Sequence, residues 1–223
     1  MKKEKNIDNY WQKNSPAFSN QYNSLLGIPL SPVGLFLLKR FNKINAMMKT
    51  VDGKIFLDVG CGSGIFMVSA IKQGKYAIGV DYSNQMIKIA EKNICQFPKN
   101  KYKLVVGNAT KLPCPDASVD IVLASGLTDY LNQSEVGIFM KEIKRVLKKG
   151  AIAIITYPKK DSPFFLLRRG FGLFLRMFFL RLPPMQTSYS KDDIISLCKQ
   201  ASLKPLEWDD VFFTMRIVMS KRV

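Results

Sequence analysis

Five short apolar runs, near residues 54–59, 76–81, 102–106, 119–124 and 151–157, are separated by stretches whose apolar residues recur at three- and four-residue spacing. Runs of that length read as buried strands, and the spacing between them reads as helix. Helices are expected near 34–48, 65–73, 84–94, 133–148 and 190–200, the last with Ser190 placed as its N-cap. Strands alternating with helices imply a parallel sheet with right-handed crossovers. Beyond them, Leu203–Trp208 and Val211–Met219 read as two further strands joined by a turn at Asp209-Asp210. An α/β domain with seven strands follows.

The first strand ends in Leu57-Asp58-Val59-Gly60-Cys61-Gly62-Ser63-Gly64, an acid followed by three alternate glycines. Glycine accepts positive φ and lets main-chain N–H groups approach a bound molecule. A strand, a glycine loop and a helix N-terminus together make a nucleotide-type site. The spacing is G-x-G-x-G, not the G-x-G-x-x-G of dinucleotide folds nor the P-loop, and no lysine follows Gly64. Asp58 would repel a pyrophosphate and attract a ligand carrying an ammonium and a sulfonium.

Four further segments follow in register: Ala77–Ser83, an apolar strand ending in Asp81; Val106–Pro113; Pro115–Val122; and Glu142–Gly150. With the glycine loop they resemble the class I S-adenosylmethionine-dependent methyltransferases, in their small single-domain branch, well over residues 50–157 and loosely elsewhere. The resemblance implies a Rossmann-like, doubly wound, mostly parallel seven-stranded sheet with an antiparallel C-terminal hairpin. It also implies one domain over 1–223, made of an N-terminal helical cap (1–50), a cofactor-binding core (51–157), an apolar and basic insertion (158–187) and a C-terminal helix with strands (188–223). S-adenosyl-L-methionine is then the cofactor and S-adenosyl-L-homocysteine its product.

On the same resemblance, Gly60, Gly62 and Gly64 supply close backbone with Asp58 near the aminoacyl end, and Asp81 binds the ribose hydroxyls. Tyr82 and Met86 lie against the adenine; Asn108 stands where many relatives have Asp, its carbonyl oxygen accepting from the adenine amino group. Ala109 adds a backbone N–H, Cys61 and Ser125 complete the set, and Tyr22 is the candidate to close the site. Asp129 and Tyr130, past the fourth strand, are the candidate catalytic pair, able to orient or deprotonate an acceptor. Each also has a plainer reading, as a polar loop with one packed aromatic.

Composition bounds the chemistry. The 223 residues carry 34 Lys and Arg against 17 Asp and Glu, a net charge of +17, with no histidine. Histidine general-base chemistry and a metal site are not expected, and an amine or carboxylate acceptor suits the chain better than a phenol. Cys61, Cys95, Cys114 and Cys198 form no C-x-x-C, so neither a disulfide framework nor zinc is suggested. The basic start lacks an apolar core, so a cytoplasmic location is expected. The charge could draw the protein to nucleic acid or an anionic membrane. Ala124–Tyr130 lacks the Pro-Pro-aromatic or Pro-Cys signature of base-modifying relatives, so nucleic acid is not the expected partner.

Residues 163–182 combine six phenylalanines with four arginines. Each arginine would cost about 2.5–3.5 kcal/mol at a bilayer centre, so the segment does not span. Three readings are open: an interfacial segment on an anionic membrane, giving a peripheral location; a cap over a greasy acceptor; or a packed insertion with arginines reaching water. The acceptor is accordingly a small molecule or a lipid. Its identity, the atom methylated and the oligomeric state are not readable.

Overall fold

The computed structural model describes residues 32–162, 187–211 and 215–223. Its elements are α1 (Pro32–Lys49), β1 (Ile55–Val59), α2 (Ile65–Lys72), β2 (Tyr76–Asp81), α3 (Asn84–Ile94), β3 (Tyr102–Val106), β4 (Val119–Ala124), α4 (Gln133–Val146), β5 (Leu147–Pro158), α5 (Lys191–Gln200), β6 (Leu203–Val211) and β7 (Met215–Arg222). They build a seven-stranded sheet in the order β3-β2-β1-β4-β5-β7-β6. Strands β1 to β5 pair in parallel, and β7 runs antiparallel to both β5 and β6. The expected fold class holds.

Central strands are apolar on both faces because both are covered. Phe56, Ile121, Leu123 and Ile154 meet α1, α2 and α3 through Ile44, Met48, Phe66, Met67, Ile87 and Ile94. Their neighbours Leu57, Val122, Ala124 and Ala153 meet α4 and α5 through Phe139, Ile143, Ile194 and Cys198. Helix α1 is thus a core element on one face of the sheet, and the rest of the expected N-terminal cap lies outside the described residues.

Gly79, in the middle of β2, is required by that packing. A Cβ there would run into Met67 Sδ and stand 2.9 Å from Leu104 Cδ2 and 3.0 Å from Cys61 Sγ. Gly79→Val is expected to cost roughly 1–3 kcal/mol, read as a lowered melting temperature, because an overpacked core must shift its neighbours.

Several boundaries differ from the sequence reading, and Val211, read as the start of the last strand, closes β6. Helix α4 stops at Val146, two residues early, and β5 begins at once, since Leu147 is buried and pairs with Val119 while Lys148 bonds Asp120. The Asp209-Asp210 turn is not one. Both residues lie in β6, opposite Ile217 and Arg216, because each carboxylate has a basic partner: Lys43 for Asp209, Lys159 and Arg216 for Asp210. The connection to β7 falls on 212–214, outside the described residues. At α5, Ser190 does cap, in a reciprocal box with Asp193.

Candidate active site

The strand order reverses between β1 and β4, both followed by loops at their C-terminal ends, and ligands of open α/β sheets bind at such a switch point. Asp58, the glycine loop, Asp81, Tyr82, Asn108 and the loop from Ser125 to Tyr130 all stand at the ends of β1, β2, β3 and β4. The sequence-predicted set is therefore brought to one edge of the sheet, apart from Tyr22, which lies outside the described residues.

The glycine loop is tied to β2. Gly60 and Cys61 N–H groups both donate to Val80 O, at 2.7 and 3.1 Å, and Gly62 N donates to Asp81 Oδ2 at 2.9 Å. Gly62 has φ +51, with nothing within 4 Å of where a Cβ would stand. Gly64, at φ +78, opens α2 without any side-chain cap. The first-turn amides and positive pole of α2 are thus available to an anionic group.

Asp58 is 1 % exposed, and its Oδ2 has no hydrogen-bond partner among the described residues. Burial and the neighbouring Asp81 raise its pKa to about 8. A buried, unpartnered carboxyl beside an uncapped helix N-terminus fits the ammonium and carboxylate ends of an aminoacyl nucleoside. Asp81 is raised by burial and lowered by the N–H groups of Ser83 and Gly62, each at 2.9 Å from a carboxylate oxygen.

Of the residues expected beside an adenine, Tyr82 is 53 % exposed and Met86 is buried, while Ala109 is buried after β3. The side-chain oxygen of Asn108 already accepts from Thr110 N and Oγ1, both at 2.9 Å, so it stands as a turn former at the rim. Arg145 closes the segment behind it, donating to the Leu112 and Cys114 carbonyls and to Glu142 and Asp116. The Cys61 and Cys114 thiols are pushed up by burial, the opposite of an activated nucleophile.

The loop after β4 is held from behind. Thr156 Oγ1 accepts from Gly126 N at 2.7 Å, and Thr128 Oγ1 donates to Thr156 O at 2.7 Å. Thr187 Oγ1 lies 2.9 Å from Thr128 O and takes a hydrogen bond from Tyr189 at 3.1 Å. Leu127 packs where a Cβ on Gly60 would stand, at 3.2 Å, so this loop rests on the glycine loop. Ser125 Oγ is buried with no partner among the described residues, and Asp129 is buried as well.

Sequence reasoning missed Arg40. From α1 its guanidinium reaches Gly126, standing 3.1 Å from where a Cβ on that residue would be, and its Nη1 lies 3.8 Å from Met215 Sδ. The signal was present. Leu37, Arg40, Ile44, Met47 and Met48 are all buried, and they form one helical stripe with a cation in it.

Residues 57–155 match the methyltransferase domain family. In its fold and glycine loop the chain is similar to the class I S-adenosylmethionine-dependent methyltransferases. It is 29% identical to a demethylmenaquinone methyltransferase of Listeria monocytogenes over 166 residues, covering 72% of this chain and 66% of that one. A demethylmenaquinone methyltransferase of Geobacillus stearothermophilus is 31% identical over 131 residues, covering 57% and 55%. The chain thus spans less than two thirds of these relatives' length. The magnesium protoporphyrin IX methyltransferase of Synechocystis, solved with bound S-adenosylhomocysteine, shares the fold at TM-score 0.77 and 15% identity, covering 99% of this chain and 100% of that one. A methyltransferase of Methanosarcina mazei does so at TM-score 0.66 and 19% identity, over 79% and 97%.

Proposed function

We propose that this protein moves a methyl group from S-adenosylmethionine to a lipid-linked acceptor of the demethylmenaquinone kind. The observation that carries the reading is the buried, unpartnered Asp58 carboxyl beside the uncapped start of α2, with Asp81 one strand away. When bound, S-adenosylmethionine supplies an already activated methyl, so the protein's work is binding, orientation and exclusion of water. Asp58 holds the ammonium, the first turn of α2 the carboxylate, and Asp81 the ribose hydroxyls. Tyr82 and Ala109 border the adenine. Ser125 and Asp129 then face the acceptor, with Tyr130 beside them.

The names of the relatives support a lipid quinone, and so does the sequence of residues 163–182, whose phenylalanines and arginines suit a greasy acceptor at an anionic surface. Among the described residues no helix is long and apolar enough to cross a membrane. The test is transfer of labelled methyl from S-adenosylmethionine into a cell extract, then separation into lipid, small-molecule, protein and RNA fractions, with Asp81→Ala as control. Label in lipid, lost in the control, is the expected result. Label in water-soluble metabolites favours a soluble acceptor with residues 158–187 as its cap. Cofactor binding without label in any fraction points to a non-catalytic protein.

A further inference from the structure

Strand β4 leaves the sheet after Ala124, which pairs with Ile155, and the next residue of β5 catches the departing chain twice. Thr156 Oγ1 accepts from Gly126 N and Thr156 O accepts from Thr128 Oγ1, both at 2.7 Å. Leu127 stands between these two bonds, and its Cδ1 lies 3.2 Å from where a Cβ on Gly60 would be. On its other side the glycine loop is tied to β2, through Val80 O and Asp81 Oδ2. The loop expected to meet the cofactor is therefore gripped between β2 and Leu127, and one threonine of β5 holds Leu127 in place.

Packing alone does not call for a threonine at 156. Ile154, Ile155 and Tyr157 beside it are buried, Thr156 is itself fully buried, and Val would fill nearly the same space in a strand. A buried hydroxyl costs free energy unless it is hydrogen-bonded, and the bond that Thr156 Oγ1 makes is to a loop amide. Thr128 is anchored a second time, its carbonyl accepting from Thr187 Oγ1 at 2.9 Å, so the chain is fastened on both sides of Leu127. A leucine fastened in this way supports the glycine loop. On a free loop it would not, because each backbone and rotamer well it gained would relax the contact.

Building on the methyltransferase reading, we propose that Thr156 is a positioning residue for the cofactor, acting through Leu127 to hold residues 60–62 in the shape that receives S-adenosylmethionine. It touches no ligand. Its effect is preorganisation: the ordering that the glycine loop would otherwise undergo on binding is already complete in the free protein. Loss of the hydroxyl leaves Gly126 N without its acceptor, loosens Leu127 and makes binding bear the cost of that ordering. The dependence is reciprocal, so a bound cofactor also steadies the loop after β4.

The test is calorimetric binding of S-adenosylhomocysteine to the full chain, at a temperature where every variant is folded, so that lost stability alone leaves the affinity unmoved. Thr156→Val is expected to bind about tenfold more weakly. Thr156→Ser, which keeps the hydroxyl, is expected to keep most of the affinity. Leu127→Ala is expected to weaken binding as well, and adding Thr156→Val to it to cost less than about twofold more, since the two act in series. By reciprocity the ligand is expected to slow hydrogen exchange at the Gly126 amide of the wild type by up to about tenfold, a measurement that stands should Thr156→Val fail to fold. Wild-type affinity in Thr156→Val, a Thr156→Ser as weak as the Val variant, additive losses with Leu127→Ala, or a Gly126 exchange rate indifferent to the ligand would each overturn the proposal. A wild type that does not bind S-adenosylhomocysteine at all would take down the methyltransferase reading, and this proposal with it, so the two failures are distinguishable.

Discussion

Replacing Asp81 by Ala is expected to weaken S-adenosylhomocysteine binding by about 100-fold or more while barely changing the melting temperature. Two hydrogen bonds from ribose hydroxyls to one carboxylate are worth about 1.5–3 kcal/mol each, because the acceptor is charged. The carboxylate also does local work, accepting from Gly62 N and Ser83 N. The same group is held above the ordinary carboxyl value chiefly by burial, so keeping it ionised in the folded protein has a cost. Truncation removes that cost together with two backbone partners, and the two changes oppose each other in stability. Binding has no such offset. Asp81→Asn keeps one acceptor oxygen and should lose about tenfold. Isothermal titration beside thermal melts checks both; equal losses of binding and stability would make Asp81 a structural residue.

What could be read from the sequence was what depends on local chemistry. The apolar strands, the three glycines after Asp58 and the capping Ser190 each express a short-range rule, and the parallel pairing of the first five strands follows from alternating strand and helix. The misplaced turn shows the limit of such rules. Asp209-Asp210 resembles a turn only until Lys43, Lys159 and Arg216 are placed around it, and those partners come from α1, the end of β5 and β7. Local pattern does not single out Gly79, because Met67, whose sulfur occupies the space of its missing Cβ, belongs to a different element.

The same reasoning explains the uneven legibility of the site. The residues expected to hold the cofactor lie in contiguous motifs, the glycine loop and the strand beside it. The surroundings of the loop after β4 converge from α1, the end of β5 and residues 187–189. No window of sequence contains them. Asn108 falls between these cases, its position legible and its side chain turned to Thr110.

Asp58→Asn is expected to reverse its effect between stability and binding, and pH separates the two. An unfolded Asp ionises near 3.8, while in the folded protein Asp58 does so at about 8. Below the lower value both states hold the proton and the group is neutral to folding. As pH rises from there, the unfolded chain loses its proton first, so the contribution of Asp58 to stability falls until about pH 8 and is level above it. Each unit of such a shift is ~1.4 kcal/mol, and each kcal/mol moves the melting point of a domain of this size by roughly 2–4 °C. The Asn variant lacks that slope, so it should melt level with the wild type near pH 4 and roughly 12–24 °C above it near pH 8. Ligand affinity should go the other way. An ammonium placed on Asp58 favours the carboxylate, so binding at neutral pH expels a proton, and the affinity of the wild type for S-adenosylhomocysteine climbs by up to about tenfold per pH unit until pH 8 is approached. Asp58→Asn should bind more weakly and with no such slope. Titrations in buffers of different ionisation enthalpy count the released proton directly; a wild-type affinity that stays flat from about pH 5.5 to 7.5, with no proton released, would separate the ammonium from Asp58 and leave the carboxyl as a buried acid of the loop.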